Sequence, residues 1–162
     1  MTKLPTGLSF WHPAALIATA GGSGLLPRAP GTWGSLVAIP IGYAISHYAG
    51  VLGLVVAIFI AFSVGWWATS IYLGHGDDTD PGPVVIDEVV GQWISIVAVP
   101  PTAVYYVFAF LLFRFFDIFK PWPICWIDRR VPGALGVILD DVLAGIFAAV
   151  VLLIALWIER GV

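Results

Sequence analysis

The chain has 162 residues, of which 60% are hydrophobic and 10% charged, and its mean hydropathy is +0.98. A soluble domain carries about 25% charged residues, so this chain lacks the polar groups to cover a surface facing water. The class that remains is an all-α, polytopic membrane helical bundle folded as one domain over residues 1–162. A net charge of −3 excludes a general nucleic-acid binder. Cys125, the one cysteine, excludes a disulfide framework and a thiolate metal cluster.

In chain order, Lys3 precedes a short apolar stretch whose end, Ala18-Thr19-Ala20, mimics a signal-peptidase site. Trp11, His12 and Pro13 interrupt that stretch, so it reads as a retained, Gly/Pro-rich N-terminal segment, interfacial or re-entrant. Five apolar segments follow: 33–48, 51–73, 84–99, 102–119 and 137–158. A spanning helix needs about 20 residues. Several segments are shorter, so four to five crossings are expected, with 84–99 open between a full span and a re-entrant turn. Tight, uncharged connections at Ala49-Gly50 and Pro100-Pro101 alternate with long polar ones at 74–83 and 120–136. This alternation gathers Lys3, Arg28, Arg114, Lys120, Arg129 and Arg130 on one side and leaves Arg160 on the other. The basic side is cytoplasmic by the positive-inside rule.

The same alternation aligns the acids. Asp87 and Glu88 open the third segment, Asp117 closes the fourth, and Asp140 and Asp141 open the fifth. Taken singly, each is an ordinary helix-start or turn residue. Together, at one depth beside hydrocarbon, they repel one another and lose solvation, so a cation is expected between them. Oxygen donors without a Cys or His cluster suit a hard divalent ion such as Mg²⁺. A metal-free ion-pair cluster with the neighbouring basic residues is the competing account. Helical spacing puts Glu88, Gln92 and Ser95 on one face, and sets Asp87 over Gly91 and Asp141 over Gly145. Those glycines would admit another helix or a ligand. Arg114, Asp117 and Lys120, spaced by three, form a charged strip.

A second element points to phosphate. Gly21-Gly22-Ser23-Gly24 leads through Arg28 to Pro30-Gly31-Thr32-Trp33-Gly34-Ser35, a Gly-rich stretch ending at a helix N-terminus, where free N–H groups attract anions. Thr32 or Ser35 would cap that helix and Arg28 would pair with phosphate. The pattern lacks the Gly-Lys-Ser/Thr ending of a P-loop, and a plain Pro/Gly turn explains it equally well. Asp78-Thr79-Asp80 resembles the aspartyl-nucleophile motif of soluble phosphatases without the sheet that presents it, and the three histidines are scattered.

The stretches 22–25 and 30–35, then Ile86-Asp87-Glu88-Val89-Val90-Gly91, then 114–124 and 136–145 resemble the phosphatidylglycerophosphatase A family in kind and in order, over roughly residues 13–156. The resemblance implies a bacterial cytoplasmic (inner) membrane, multi-pass enzyme with its active site on the cytoplasmic side. Its implied reaction is Mg²⁺-dependent hydrolysis of the terminal phosphomonoester of the phospholipid phosphatidylglycerophosphate, giving phosphatidylglycerol and phosphate. It marks Asp87, Glu88, Asp117, Asp140 and Asp141 as metal or catalytic acids. Gly31, Thr32, Arg28, Lys120 and Arg129 become phosphate-binding candidates by position. Either one carboxylate orients water for in-line attack, or Asp141 or Asp87 is itself the nucleophile. An ion or solute carrier that uses the acids as a cation site is the alternative from another class.

Overall fold

The computed structural model describes residues 4–161, so Lys3 of the basic side lies outside the described residues. The elements are α1 (Pro13–Ala18), a 3₁₀ turn (Ser23–Leu25), α2 (Pro30–Leu73), α3 (Ile86–Val97), α4 (Ala103–Phe119), α5 (Ile124–Arg130) and α6 (Gly133–Glu159). The described residues contain no strand. Two helices, α2 and α6, are long and apolar enough to cross a membrane.

Helix α2 is broken at Gly50, which has φ 69° and ψ −175°, a conformation that glycine adopts without a Cβ penalty. Its two sides then fold back on one another. Gly34, before the break, sits against Val85, and Gly65, after it, sits against Ile86. In one straight helix those glycines would be roughly 46 Å apart at 1.5 Å per residue, yet their contacts are consecutive residues. The chain therefore reverses at Gly50, where the sequence has its short uncharged connection, and each arm is about 30 Å long.

Helix α3 is shorter than the apolar segment 84–99 suggests. Its 12 residues rise only about 18 Å. Val90 and Ile96 are fully enclosed, as are Gln92 and Ser95. Gln92 donates its amide to Ser95 Oγ at 2.9 Å, and that hydroxyl donates to the Gln92 carbonyl at 2.7 Å. Trp93 Nε1 donates to the Ala38 carbonyl at 2.8 Å, tying α3 to the first arm of α2. Val97, the last residue of α3, and the four residues after it line a cavity with Ser46, Val51, Leu153 and Arg160. The C-terminal end of α3 thus lies at the Gly50 end of the bundle, and its acidic N-terminus at the other.

Glycines decide how closely α3 is held. A Cβ on Gly91 would fall 2.4 Å from the Phe113 ring and 2.6 Å from the Asp141 carbonyl oxygen. One on Gly145 would fall 2.4 Å from the Gly91 carbonyl oxygen. The two small residues thus admit a neighbouring helix, and the backbones of α3 and α6 touch. Helix α1 covers the bundle from the N-terminal side. His12 accepts the Ala14 N–H as its cap at 3.1 Å, Ala14, Ala15 and Ala18 are buried, and the Ala18 carbonyl accepts the Val85 N–H at 2.8 Å. The outward faces of α2, α4 and α6 expose large apolar side chains, including Phe59, Ile60, Val107, Phe108, Val150 and Ile154. So much contiguous apolar surface marks a membrane-facing exterior.

Replacing Gly145 by Val is expected to cost roughly 1–3 kcal/mol or more of stability, because the clash is with backbone that has no rotamer to yield. Gly74→Ala, whose Cβ would meet nothing nearer than 3.4 Å, should stay within about 0.5 kcal/mol of the parent. Thermal unfolding of both variants in detergent checks the contrast.

Candidate metal and phosphate site

The glycine crossing sets the site. Asp87 precedes Gly91 by four residues and Asp141 precedes Gly145 by four. Because α3 and α6 run in the same direction from the acidic end and cross at those glycines, the two acids stand side by side one turn away. Glu88, next to Asp87, completes the group. One carboxylate oxygen from each of Asp87, Glu88 and Asp141 falls within 4.8 Å of the others. Asp87 also accepts the Glu88 N–H at 3.1 Å, and Asp140 accepts the Asp141 N–H at 3.0 Å.

Helix α4 runs back to this end and contributes Arg114 and Asp117. Arg114 Nη1 is 2.5 Å from Asp117 Oδ2 and 3.8 Å from Glu88 Oε1. Asp117 in turn lies close enough to Asp141 to interact with it. Asp140 points to the other side of α6, where Lys120 Nζ reaches it at 2.6 Å and Asp128 of α5 at 2.5 Å. Lys120 caps α4 with φ 43°. Partial burial works against its charge, but Asp128 and Asp140 outweigh that and hold the ammonium above the ordinary lysine range.

The five acids of the sequence reading thus fall into two neighbouring groups. Asp87, Glu88 and Asp141 form the compact triad, with Asp117 beside it in the grip of Arg114. Asp140 belongs to a chain of ion pairs through Lys120. Among the described residues no cationic side chain pairs with Asp87 or Asp141, and Arg114 divides one charge between Glu88 and Asp117. Glu88 Oε2 is buried without a hydrogen-bond partner. Carboxylate oxygens facing one another with one left over are the donor set a hard divalent cation takes. Ion pairing alone accounts for Asp117 and Asp140 but gives the triad only a share of Arg114, through Glu88.

The start of α2 adjoins the triad. A Cβ on Gly31 would lie 2.0 Å from Glu88 Oε1 and 3.0 Å from Arg114 Nη1, so only glycine lets this first turn touch the acids. Thr32 follows it, partly buried. The expected caps are corrected here: Ala29, at φ 48°, is the N-cap, and no side chain caps the helix. Pro30 has its φ preset for the first helical position and starts the helix ahead of Thr32. Ser35, already inside, donates to the Gly31 carbonyl at 2.9 Å. Within the upstream glycine run, Gly22 packs against Phe10 and Gly24 against the Pro83 carbonyl. The glycine that meets an acid is Gly31.

Arg28 and Arg129 are exposed and make no ion pair among the described residues. Arg129 lines a cavity of about 330 Å³ with Thr79, Asp80, Asp128, Arg130 and Asp140, on the Lys120 side of the acids. Asp78 accepts the Asp80 N–H at 3.2 Å, a turn-forming contact. Two residues absent from the sequence-derived set take part. Arg114 carried a signal, an ionisable residue inside an apolar helix and three before an acid. Asp128 carried none.

The sequence model described as phosphatidylglycerophosphatase A matches residues 16–156, a stretch that contains every acid of the site. The chain is 41% identical over 149 residues to phosphatidylglycerophosphatase A of Escherichia coli, covering 88% of this chain and 81% of that one. It is 37% identical to the protein of the same name in Haemophilus influenzae, covering 89% of each. A Bacteroides thetaiotaomicron protein, provisionally named a phosphatidylinositol-3-phosphatase, is 38% identical over 88% of this chain and 93% of its own. No solved structure matches. With the acids, Gly31 and the helix order all inside a match of this extent, the chain belongs to the phosphatidylglycerophosphatase A family.

Proposed function

We propose that this protein is a Mg²⁺-dependent phosphatase of the bacterial cytoplasmic membrane that converts phosphatidylglycerophosphate to phosphatidylglycerol and phosphate, completing that lipid's synthesis. The observation that carries the reading is the triad of Asp87, Glu88 and Asp141, with one buried carboxylate oxygen unpaired, at one end of an apolar bundle. Asp87, Glu88 and Asp141 would hold the metal. Bound there, Mg²⁺ supplies charge stabilisation to the phosphoryl oxygens.

The other residues have separable tasks. Arg114 fixes Glu88 and Asp117 against each other's repulsion, and Lys120 does the same for Asp140 and Asp128. The Gly31 N–H at the start of α2 and the Thr32 hydroxyl, with the unpaired Arg28 and Arg129, bind the oxygens of the phosphomonoester. Asp117 or Asp140, each steadied by its cation, orients the attacking water; direct attack by Asp87 or Asp141 is the competing route, distinguished by trapping labelled phosphate on an aspartate.

The whole chain acts as one membrane-embedded unit. The two arms of α2, the segment around α3, α4 and α6 give five passages between the two ends of the bundle, although α3 is shielded from lipid by the others. The gathering of Arg28, Arg114, Lys120, Arg129 and Arg130 at the acidic end supports a cytoplasmic orientation of that end by the positive-inside rule. Among lipid phosphomonoesters, the glycerophosphate headgroup is favoured because the family description and two relatives carry that name. No observation favours a carrier.

Detergent-purified protein is expected to release phosphate from phosphatidylglycerophosphate faster than from phosphatidylinositol 3-phosphate, and only with Mg²⁺ present. Asp141→Asn should lower that rate about a hundredfold or more while the protein elutes and melts as the parent does. Release that survives chelation, or that Asp141→Asn leaves intact, contradicts the assignment. Gly31→Ala, which drives a methyl into Glu88, should lower the rate with little change in melting temperature. For orientation, single cysteines at Arg130 and Pro101 in a Cys125→Ser background are expected to label from the cytoplasmic and the opposite side respectively. Labelling of both from one side would refute five passages.

A further inference from the structure

The turn between α5 and α6 is fastened to the acidic end at two points. A Cβ on Gly136 would fall 1.9 Å from the Val131 carbonyl oxygen, so only glycine lets this turn press onto α6 one helical turn before Asp140. On the other side, Asp128 lies 2.5 Å from Lys120 Nζ, and the same ammonium holds Asp140 at 2.6 Å. Arg129 and Arg130 stand between these two fastenings. Both line the cavity of about 330 Å³ that Asp140 also lines, with Thr79 and Asp80 of the 74–83 loop. Neither guanidinium makes an ion pair among the described residues. Asp140 is followed directly by Asp141 of the triad, with Cα atoms about 3.8 Å apart. The cavity and the triad therefore occupy adjoining faces of the same turn of α6.

We propose that this cavity is the subsite for the second phosphate of the substrate headgroup, with Arg130 binding its free oxygens. The inference rests on the lipid-phosphatase reading and adds what selects the headgroup. Phosphatidylglycerophosphate carries its terminal monoester on one end of a three-carbon glycerol bridge and a phosphodiester on the other. So short a bridge requires the two anions to be met side by side, and consecutive residues of α6 supply that adjacency. A phosphodiester presents two free oxygens, the pair that a guanidinium binds through parallel N–H groups. Arg28 and Arg129 serve the monoester, which leaves Arg130 as the cation of this cavity without a task. The central carbon of the bridge bears a hydroxyl, and Asp80 on the same wall is an acceptor for it. Lining of both signs suits an anion that also carries a hydroxyl and disfavours a bare one.

The test is competitive inhibition of phosphatidylglycerophosphate hydrolysis, in mixed micelles, by two water-soluble probes. Inorganic phosphate offers a single phosphate; glycerol phosphorylated on both end carbons offers two on the same bridge. For the parent, the bisphosphate should inhibit at a concentration about tenfold below that of inorganic phosphate. Arg130→Gln should raise the inhibition constant of the bisphosphate about tenfold, the loss expected for one charge-assisted hydrogen bond. It should leave the constant for inorganic phosphate at the parent's value, whereas Arg28→Gln should raise both. Arg130 is exposed, so its variant is expected to melt as the parent does. Equal inhibition of the parent by the two probes, or a bisphosphate constant that Arg130→Gln does not move, overturns the subsite while the phosphatase reading stands. A rise in both constants with Arg130→Gln overturns it too, because the arginine then serves the monoester. Failure of the parent protein to hydrolyse the lipid overturns both readings.

Discussion

The contact of the Gly91 and Gly145 backbones governs this site. Helices that carry side chains at their crossing keep their axes about 8–10 Å apart; removing both side chains lets α3 and α6 close until a carbonyl stands where a Cβ would be. One turn from that crossing, Asp87 and Asp141 have no choice but to face each other. Helix packing and charge repulsion are thus opposed at one place. The apolar contacts along α3 fix the backbones, and the acids must be compensated where they stand.

Compensation comes in layers. Arg114 and Lys120, both from the end of α4, reach the outer acids Asp117 and Asp140 and are held there by short ion pairs. The inner triad receives only the longer Arg114–Glu88 contact at 3.8 Å, and no cationic side chain among the described residues pairs with Asp87 or Asp141. Removing carboxylates from water without a partner is costly in a low-dielectric setting, and the cation proposed to sit among them would offset that cost. This arrangement suits a phosphoryl-transfer site, where the same cation offsets the charge of the incoming ester. The ester's own anionic oxygens would otherwise be repelled by the acids that surround them.

Helix α3 shows why apolar composition and membrane crossing are separate properties. A residue buried against other helices and one facing lipid are equally apolar, so the segment 84–99 has the composition of a span although its helix is 12 residues long and enclosed by its neighbours. Its buried Gln92 amide N–H and Ser95 hydroxyl both find acceptors within the helix, while Gln92 Oε1 is left without a partner. Helix α4, with 17 residues, instead turns a broad apolar face outward. Helices α2 and α6 are the two among the described residues that are long and apolar enough to cross a membrane.

Much of this was legible in the chain itself. The helical class follows from composition, the fold-back at Gly50 from a short uncharged break between apolar runs, and the gathering of the acids at one end from strict alternation of short and long connections. The family too is written in local blocks such as Ile86-Asp87-Glu88-Val89-Val90-Gly91. These are one-dimensional properties: hydropathy, spacing and order. What only the tertiary structure decided is which acid meets which partner. Asp140 and Asp141 are neighbours in sequence, yet a helix turns about 100° per residue, so one faces Lys120 and the other the triad. Arg114 joins Glu88 and Asp117 across two helices, Asp128 arrives from α5, and Gly31 proves to be the glycine of the α2 entry that meets an acid, because each depends on distances between elements that no local pattern encodes.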